Sequence, residues 1–219
     1  MTRNEQQTPS PSPSVSASNS ASTSASASAS VLILLLSSSS ALAHPGSGTG
    51  FKAGFLHPVS GLDHVVAMIA VGLWGAQLGE PAVWLLPVTF PMVMALGGML
   101  GLVGIALPGL EVGIAASAIV LGFAVFREAR PSLWVAALVV GVFAIFHGNA
   151  HGTELPPGAN ALLYSIGFVI ATGLLHATGI GLGVAHRWPT GRAALRALGA
   201  GVALAGVVFL WHAVVGGGA

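Results

Sequence analysis

The sequence predicts an all-α, polytopic membrane protein: a six-transmembrane-helix bundle behind a disordered N-terminal tract and a signal sequence. Of its 219 residues 54% are hydrophobic and only 6% charged, with a mean hydropathy of +0.86. A soluble domain uses about a quarter charged residues to cover its surface, so this chain is solvated by lipid. Six apolar segments follow one another from Ser60 onward, most approaching the roughly 20 residues that cross about 30 Å of hydrocarbon. Lipid offers no hydrogen bonds to the backbone, so the spans must be helices. The 31 glycines and abundant alanines let such helices pack closely.

Taken in order, residues 1 to 30 form a Ser/Ala/Pro tract with almost nothing to bury, and disorder is expected there. Residues 31–43 combine the apolar run Val31 to Leu36 with Ala41 and Ala43 in an A-x-A pattern, which reads as a secretory signal cleaved after Ala43. An uncleaved tail is the other reading, since Arg3 is the sole basic residue upstream. The permease-like core is expected to fill 44–219. Its spans fall near Gly61–Leu78, Ala82–Leu107, Val112–Phe126, Ser132–Phe146, Ala161–Ala185 and Ala193–Val215, the third and fourth being short. "GGMLGLVG" and "GIGLGVAH" read as small-residue packing seams rather than nucleotide loops, for they lack the strand and phosphate-contacting context.

Charge sets the orientation. Arg127 and Arg130 lie between spans three and four, and Arg187, Arg192 and Arg196 between spans five and six. All five share one face if the spans alternate, and the positive-inside rule makes that face cytoplasmic. Both mature termini are then extracytoplasmic in the inner membrane, as a secretion signal also requires. A net charge of +1 without a Lys/Arg run speaks against nucleic acid as a partner. The absence of cysteine leaves only nitrogen and oxygen as metal ligands.

Two polar motifs interrupt the oil. "HPVSGLDH" opens span one: Pro58 favours a helix start and places His57 on or just before the first turn, with Asp63 and His64 about a turn deeper. "FHGNAHGTELP" ends span four, and His147, His151 and Glu154 at i, i+4 and i+7 share one helix face. Gly148 and Gly152 leave the neighbouring positions bare, and Pro156 and Pro157 are expected to end the helix. By the alternation both motifs reach the extracytoplasmic face, as does Glu111 at the start of span three. Asp63 and Glu111 also have a plainer reading, as carboxylates complementing a helix N-terminus. His176 falls near the middle of span five, where an ionisable residue is costly unless buried or paired. His186 and His212 read as interfacial. Imidazole with carboxylate suits borderline divalent ions such as nickel, cobalt, zinc or iron, and ligand chemistry does not choose among them.

These residues resemble a known family. The stretches "HPVSGLDHVVAMIAVGLWGAQLG", "FHGNAHGTE", "EVGIAASAIVLG" and "GFVIATGLLHATGIGLG" look like the HupE/UreJ family of nickel permeases associated with hydrogenase and urease maturation, over about residues 44 to 215. The resemblance implies six transmembrane helices, a cleaved signal, Ni²⁺ first and Co²⁺ second as transported ion, no prosthetic group, and hydrogenase or urease maturation proteins as recipients. It carries metal-ligand roles onto His57, Asp63, His64, Glu111, His147, His151 and Glu154, and suggests Phe90 and His176. No G-x4-GK[ST] motif is present, so transport is expected to be facilitated or gradient-driven. An enzyme is not expected. A zinc-dependent intramembrane hydrolase built on Ser60, Asp63, His64, His147 and His151 stays open, although the chain has neither H-E-x-x-H nor G-x-S-x-G. So does an accessory subunit that binds metal without transporting it.

Overall fold

The computed structural model describes residue 1 and residues 50–155 and 158–216. The 1–30 tract, the 31–43 segment with its cleavage point, and Pro156 and Pro157 lie outside the described residues. Among the described residues every regular element is helical: α1 (Phe51–Ser60), α2 (Leu62–Leu78), α3 (Ala82–Leu102), α4 (Leu110–Arg127), α5 (Leu133–Thr153), α6 (Ala161–Gly183), a 3₁₀ turn (Val184–Arg187) and α7 (Pro189–Gly216). Helices α3 to α7 are each long and apolar enough to cross a membrane, and α1 with α2, bent by 83°, supplies a sixth crossing when counted as one. The molecule is a multi-pass membrane protein. Its lipid-facing surface is explicit on α3, where Trp84, Val88, Met92, Leu96 and Met99 recur every three or four residues and are all exposed. No aqueous surface tolerates such a stripe over more than four turns.

Span two ends at Leu102 rather than Leu107, and two further boundaries that bear on the polar motifs differ from the sequence reading. His57 does not open span one: it sits in the last turn of α1, a separate helix, with Pro58 inside that helix. The break comes three residues later at Gly61, whose extended backbone lets the chain turn into α2. Span four is not short either. Helix α5 runs on through the His motif to Thr153, and its 21 residues rise about 30 Å. The polar residues mark the end of a full crossing because the helix ladder satisfies their backbone whatever their side chains.

Close approaches between small residues give the pairing of the helices. Helix α2 runs parallel to α6, with Ile69 against Gly179 and Ala76 against Gly183, whereas α1, bent from α2 by 83°, crosses α6 with Phe51 against Gly167 and Gly54 against Tyr164. Helix α3 runs parallel to α5, with Met94 against Gly148 and Gly98 against Gly152, and α4 runs antiparallel to α7, with Gly122 against Gly199 and Ala203. Parallel pairs separated by an odd number of intervening crossings are what strict alternation requires. The expected seams are used as such: Gly97 and Gly101 meet α5, and Gly179 and Gly183 meet α2.

Both arginine-bearing connections come to one end of this bundle. The Arg196 guanidinium lies 5.5 Å over the Phe126 ring, His186 Nε2 is 3.9 Å from Glu128 Oε2, and Trp74 Nε1 donates to the Ala129 carbonyl at 2.9 Å. At the opposite end Asn149 pins the loop that leaves α3. Its side-chain oxygen accepts from the Leu107 N–H (3.3 Å) and its amide donates to the Ile105 carbonyl (2.9 Å). The residue is fully buried. Asn149→Ala orphans both loop groups, and a loss of about 1–3 kcal/mol is expected, read as a lower thermal midpoint of the detergent-solubilised protein. An unchanged midpoint rules this anchoring out.

Candidate metal site

Four imidazoles and a carboxylate from three helices converge at the end of the bundle away from the arginines. The bend at Gly61 brings His57 on α1 back toward the mouth while His64 enters the core on α2. Gly54 packs its backbone directly on Tyr164, which seats α1 against α6. On α5 one helical face supplies His147, His151 and, at its C-cap, Glu154. His147 and His64 are buried, His151 is half-buried and Glu154 is largely exposed.

The contacts form a chain from the surface inward. His57 Nε2 lies 3.1 Å from Glu154 Oε2 and 2.9 Å from His151 Nδ1. The other nitrogen of His151, Nε2, lies 3.1 Å from His64 Nδ1, which is itself 3.1 Å from His147 Nδ1. Two groups of three thus have ligand atoms within 4.8 Å of one another: His57, His151 and Glu154 at the mouth, and His64, His147 and His151 beneath it. His151 belongs to both, one ring nitrogen facing each. The imidazoles of His151 (3.7 Å) and His57 hold the Glu154 carboxyl well below the usual carboxylate range, at about 2. The Glu154 carboxylate therefore stays ionised throughout the range in which histidines take up protons.

Aromatic rings wall the chain. Phe168 on α6 stands 4.6 Å from the His151 ring centroid and 5.7 Å from that of His64, and Tyr164 covers His57 at 5.8 Å. Below, Phe90 lies between His147 (5.6 Å) and His176 (5.7 Å). His151 also borders a cavity of about 260 Å³ between α3, α5 and α6, lined by Met94, Met99, Leu155 and Phe168 among others.

The remaining residues named from sequence fall outside the two groups. Asp63 Oδ1 accepts from the His64 backbone N–H at 2.8 Å, a helix-start role. Glu111 lies in the first turn of α4, near enough to Asp63 and Glu154 to sense both charges. His176 is buried, with neither ring nitrogen hydrogen-bonded among the described residues. Ser117, Tyr164 and Phe168 carry no signal in the sequence, because nothing in their spacing separates them from ordinary packing. Ser117 Oγ, fully buried on α4, lies 2.9 Å from His147 Nε2.

The chain is similar to known proteins in sequence. The family model described as HupE / UreJ protein matches residues 32–209. Protein HupE of Rhizobium leguminosarum bv. viciae is 49% identical over 161 residues, covering 74% of this chain and 84% of its own length. No solved structure matches.

Proposed function

Because the chain belongs to the HupE/UreJ family, we propose that it is a membrane permease taking divalent nickel, with cobalt second, from the extracytoplasmic face for hydrogenase or urease maturation. The observation that carries this reading is the pair of ligand groups joined by His151. A cation captured by His57, His151 and Glu154 at the anionic mouth moves inward by exchanging His57 and Glu154 for His64 and His147. His151 is the ligand kept during the exchange, so the ion is never stripped of protein donors. Nitrogen-rich coordination with one carboxylate suits a borderline ion over a hard one such as magnesium. Asp63 and Glu111 add negative charge at the entrance. Phe90 and His176 stand on the continuation of the chain toward the arginine-rich, cytoplasmic end.

The inner membrane is the proposed location, with both mature termini outside. The ion is cargo, and no prosthetic group or catalysis is required. Uptake of nickel by proteoliposomes containing this protein alone tests the reading, because a binding subunit without transport activity leaves the lumen empty. Release of product from a lipid amide or peptide, lost with chelator, would favour the hydrolase instead.

Acid should inhibit. A neutral imidazole offers the ion a lone pair and a protonated one does not, and metal binding must displace that proton. Uptake is expected to fall once the medium is acid enough to protonate the ligating imidazoles. Glu154, held down at about 2, contributes nothing to that fall. A rate that does not fall at any acid pH at which the protein stays folded excludes imidazole ligation as the limiting interaction.

A further inference from the structure

The hydrogen-bond chain of the site cannot close on itself, and Ser117 is the reason. Ser117 donates its single hydroxyl proton to the Ile114 carbonyl, one helical turn back, at 2.6 Å; serine makes such bonds readily inside helices. The Ser117 oxygen can then only accept in its 2.9 Å contact with His147 Nε2. His147 must carry its proton on Nε2, which leaves Nδ1 as a bare lone pair directed at His64 Nδ1, 3.1 Å away.

Follow one proton per ring outward from there. His64 must donate from Nδ1, so His151 accepts at Nε2 and bears its proton on Nδ1. His57 Nε2 then accepts from His151 and confronts the Glu154 carboxylate, 3.1 Å away, lone pair to lone pair. Letting His57 donate to Glu154 moves the conflict elsewhere without removing it. Were His147 protonated on Nδ1 instead, no lone pair would face another. The N–H groups of His147 and His151 would share the His64 Nδ1 lone pair, and the His57 Nε2 proton would bridge His151 and Glu154.

We infer that Ser117 is a positioning residue that holds His147 in the Nε2–H form, so that the site carries one lone pair too many until a cation enters. The inference rests on the metal-permease reading and adds a specific device to it: the empty site is kept from satisfying itself. A group that orients a ligating imidazole through its far nitrogen typically affects metal affinity by 10–100-fold.

The test uses the full chain in detergent with nickel alone as probe. ¹⁵N shifts of labelled histidines, assigned with a His147→Gln variant, report the tautomer of the metal-free protein. The wild type should show His147 protonated at Nε2, and Ser117→Ala should shift it toward Nδ1 with about 10–100-fold weaker nickel binding. Ser117→Thr, which keeps the hydroxyl, should restore both. A wild-type spectrum with the proton on Nδ1 overturns the inference even if no variant folds. So does unchanged nickel affinity in Ser117→Ala. Failure of the wild type to bind nickel at all, with His147 still protonated at Nε2, would instead overturn the permease reading and leave the tautomer assignment standing.

Discussion

His151→Ala is expected to abolish nickel uptake, with a loss beyond about 100-fold at equal membrane abundance. Removing an outer group that merely orients a ligand already costs 10–100-fold in affinity, and His151 is itself a candidate ligand in both groups. Its Nδ1 faces His57 and Glu154 while its Nε2 faces His64. Truncation leaves the mouth with one imidazole and one carboxylate and the inner group with two imidazoles, and it takes away the donor common to the two. Glu154→Gln removes one ligand from the outer group alone, and a loss of about 10-fold is expected, within the lower part of the same range. His212→Ala, at an exposed position near the end of α7, should leave uptake unchanged. Cellular accumulation of radioactive nickel distinguishes the three. If His151→Ala accumulates no less than Glu154→Gln, the shared-ligand arrangement is wrong.

Residues whose signal is chemical or periodic are legible in the amino-acid sequence. Ionisable side chains are too expensive inside lipid to be incidental, so His57, His64, His147, His151 and Glu154 stand out against the apolar composition, and the i, i+4, i+7 spacing predicts the common face on α5. Alternation of spans, with the arginines at one end, is legible for the same electrostatic reason. What escapes is tertiary. The 83° bend between α1 and α2 goes with α1 crossing α6 closely at Gly54 and Gly167, and a proline at position 58 reads equally well as a helix start. Asp63 and His64 are adjacent in sequence, yet one is bonded to its own helix start and the other reaches the core. Ser117 is one more small residue in a span of small residues. Only its partner across the bundle, His147, distinguishes it.

The seam between α3 and α5 carries the other large effect. A glycine-to-alanine change inside a helix ordinarily stabilises by about 0.4–1 kcal/mol, because the unfolded chain loses freedom. Gly173 on α6 should behave that way, since a methyl group added there meets nothing within 4 Å. Gly148→Ala should reverse the sign. A Cβ at Gly148 would fall inside the Met94 carbonyl of α3, and backbone cannot turn aside as a side chain can. One turn on, Gly152 is pressed against Gly98 in the same way. The two helices must separate to admit the methyl, and overpacking of this kind costs about 1–3 kcal/mol or more. Gly148 lies between His147 and His151, so separation also swings both ligands relative to His64 and loosens the Asn149 anchor beside them. The thermal midpoint and the nickel affinity of Gly148→Ala should therefore fall together, while those of Gly173→Ala hold or rise. Equal midpoints for the two variants would show that the bare face of α5 does not govern how closely α3 approaches, and that something other than this seam sets the spacing of the site.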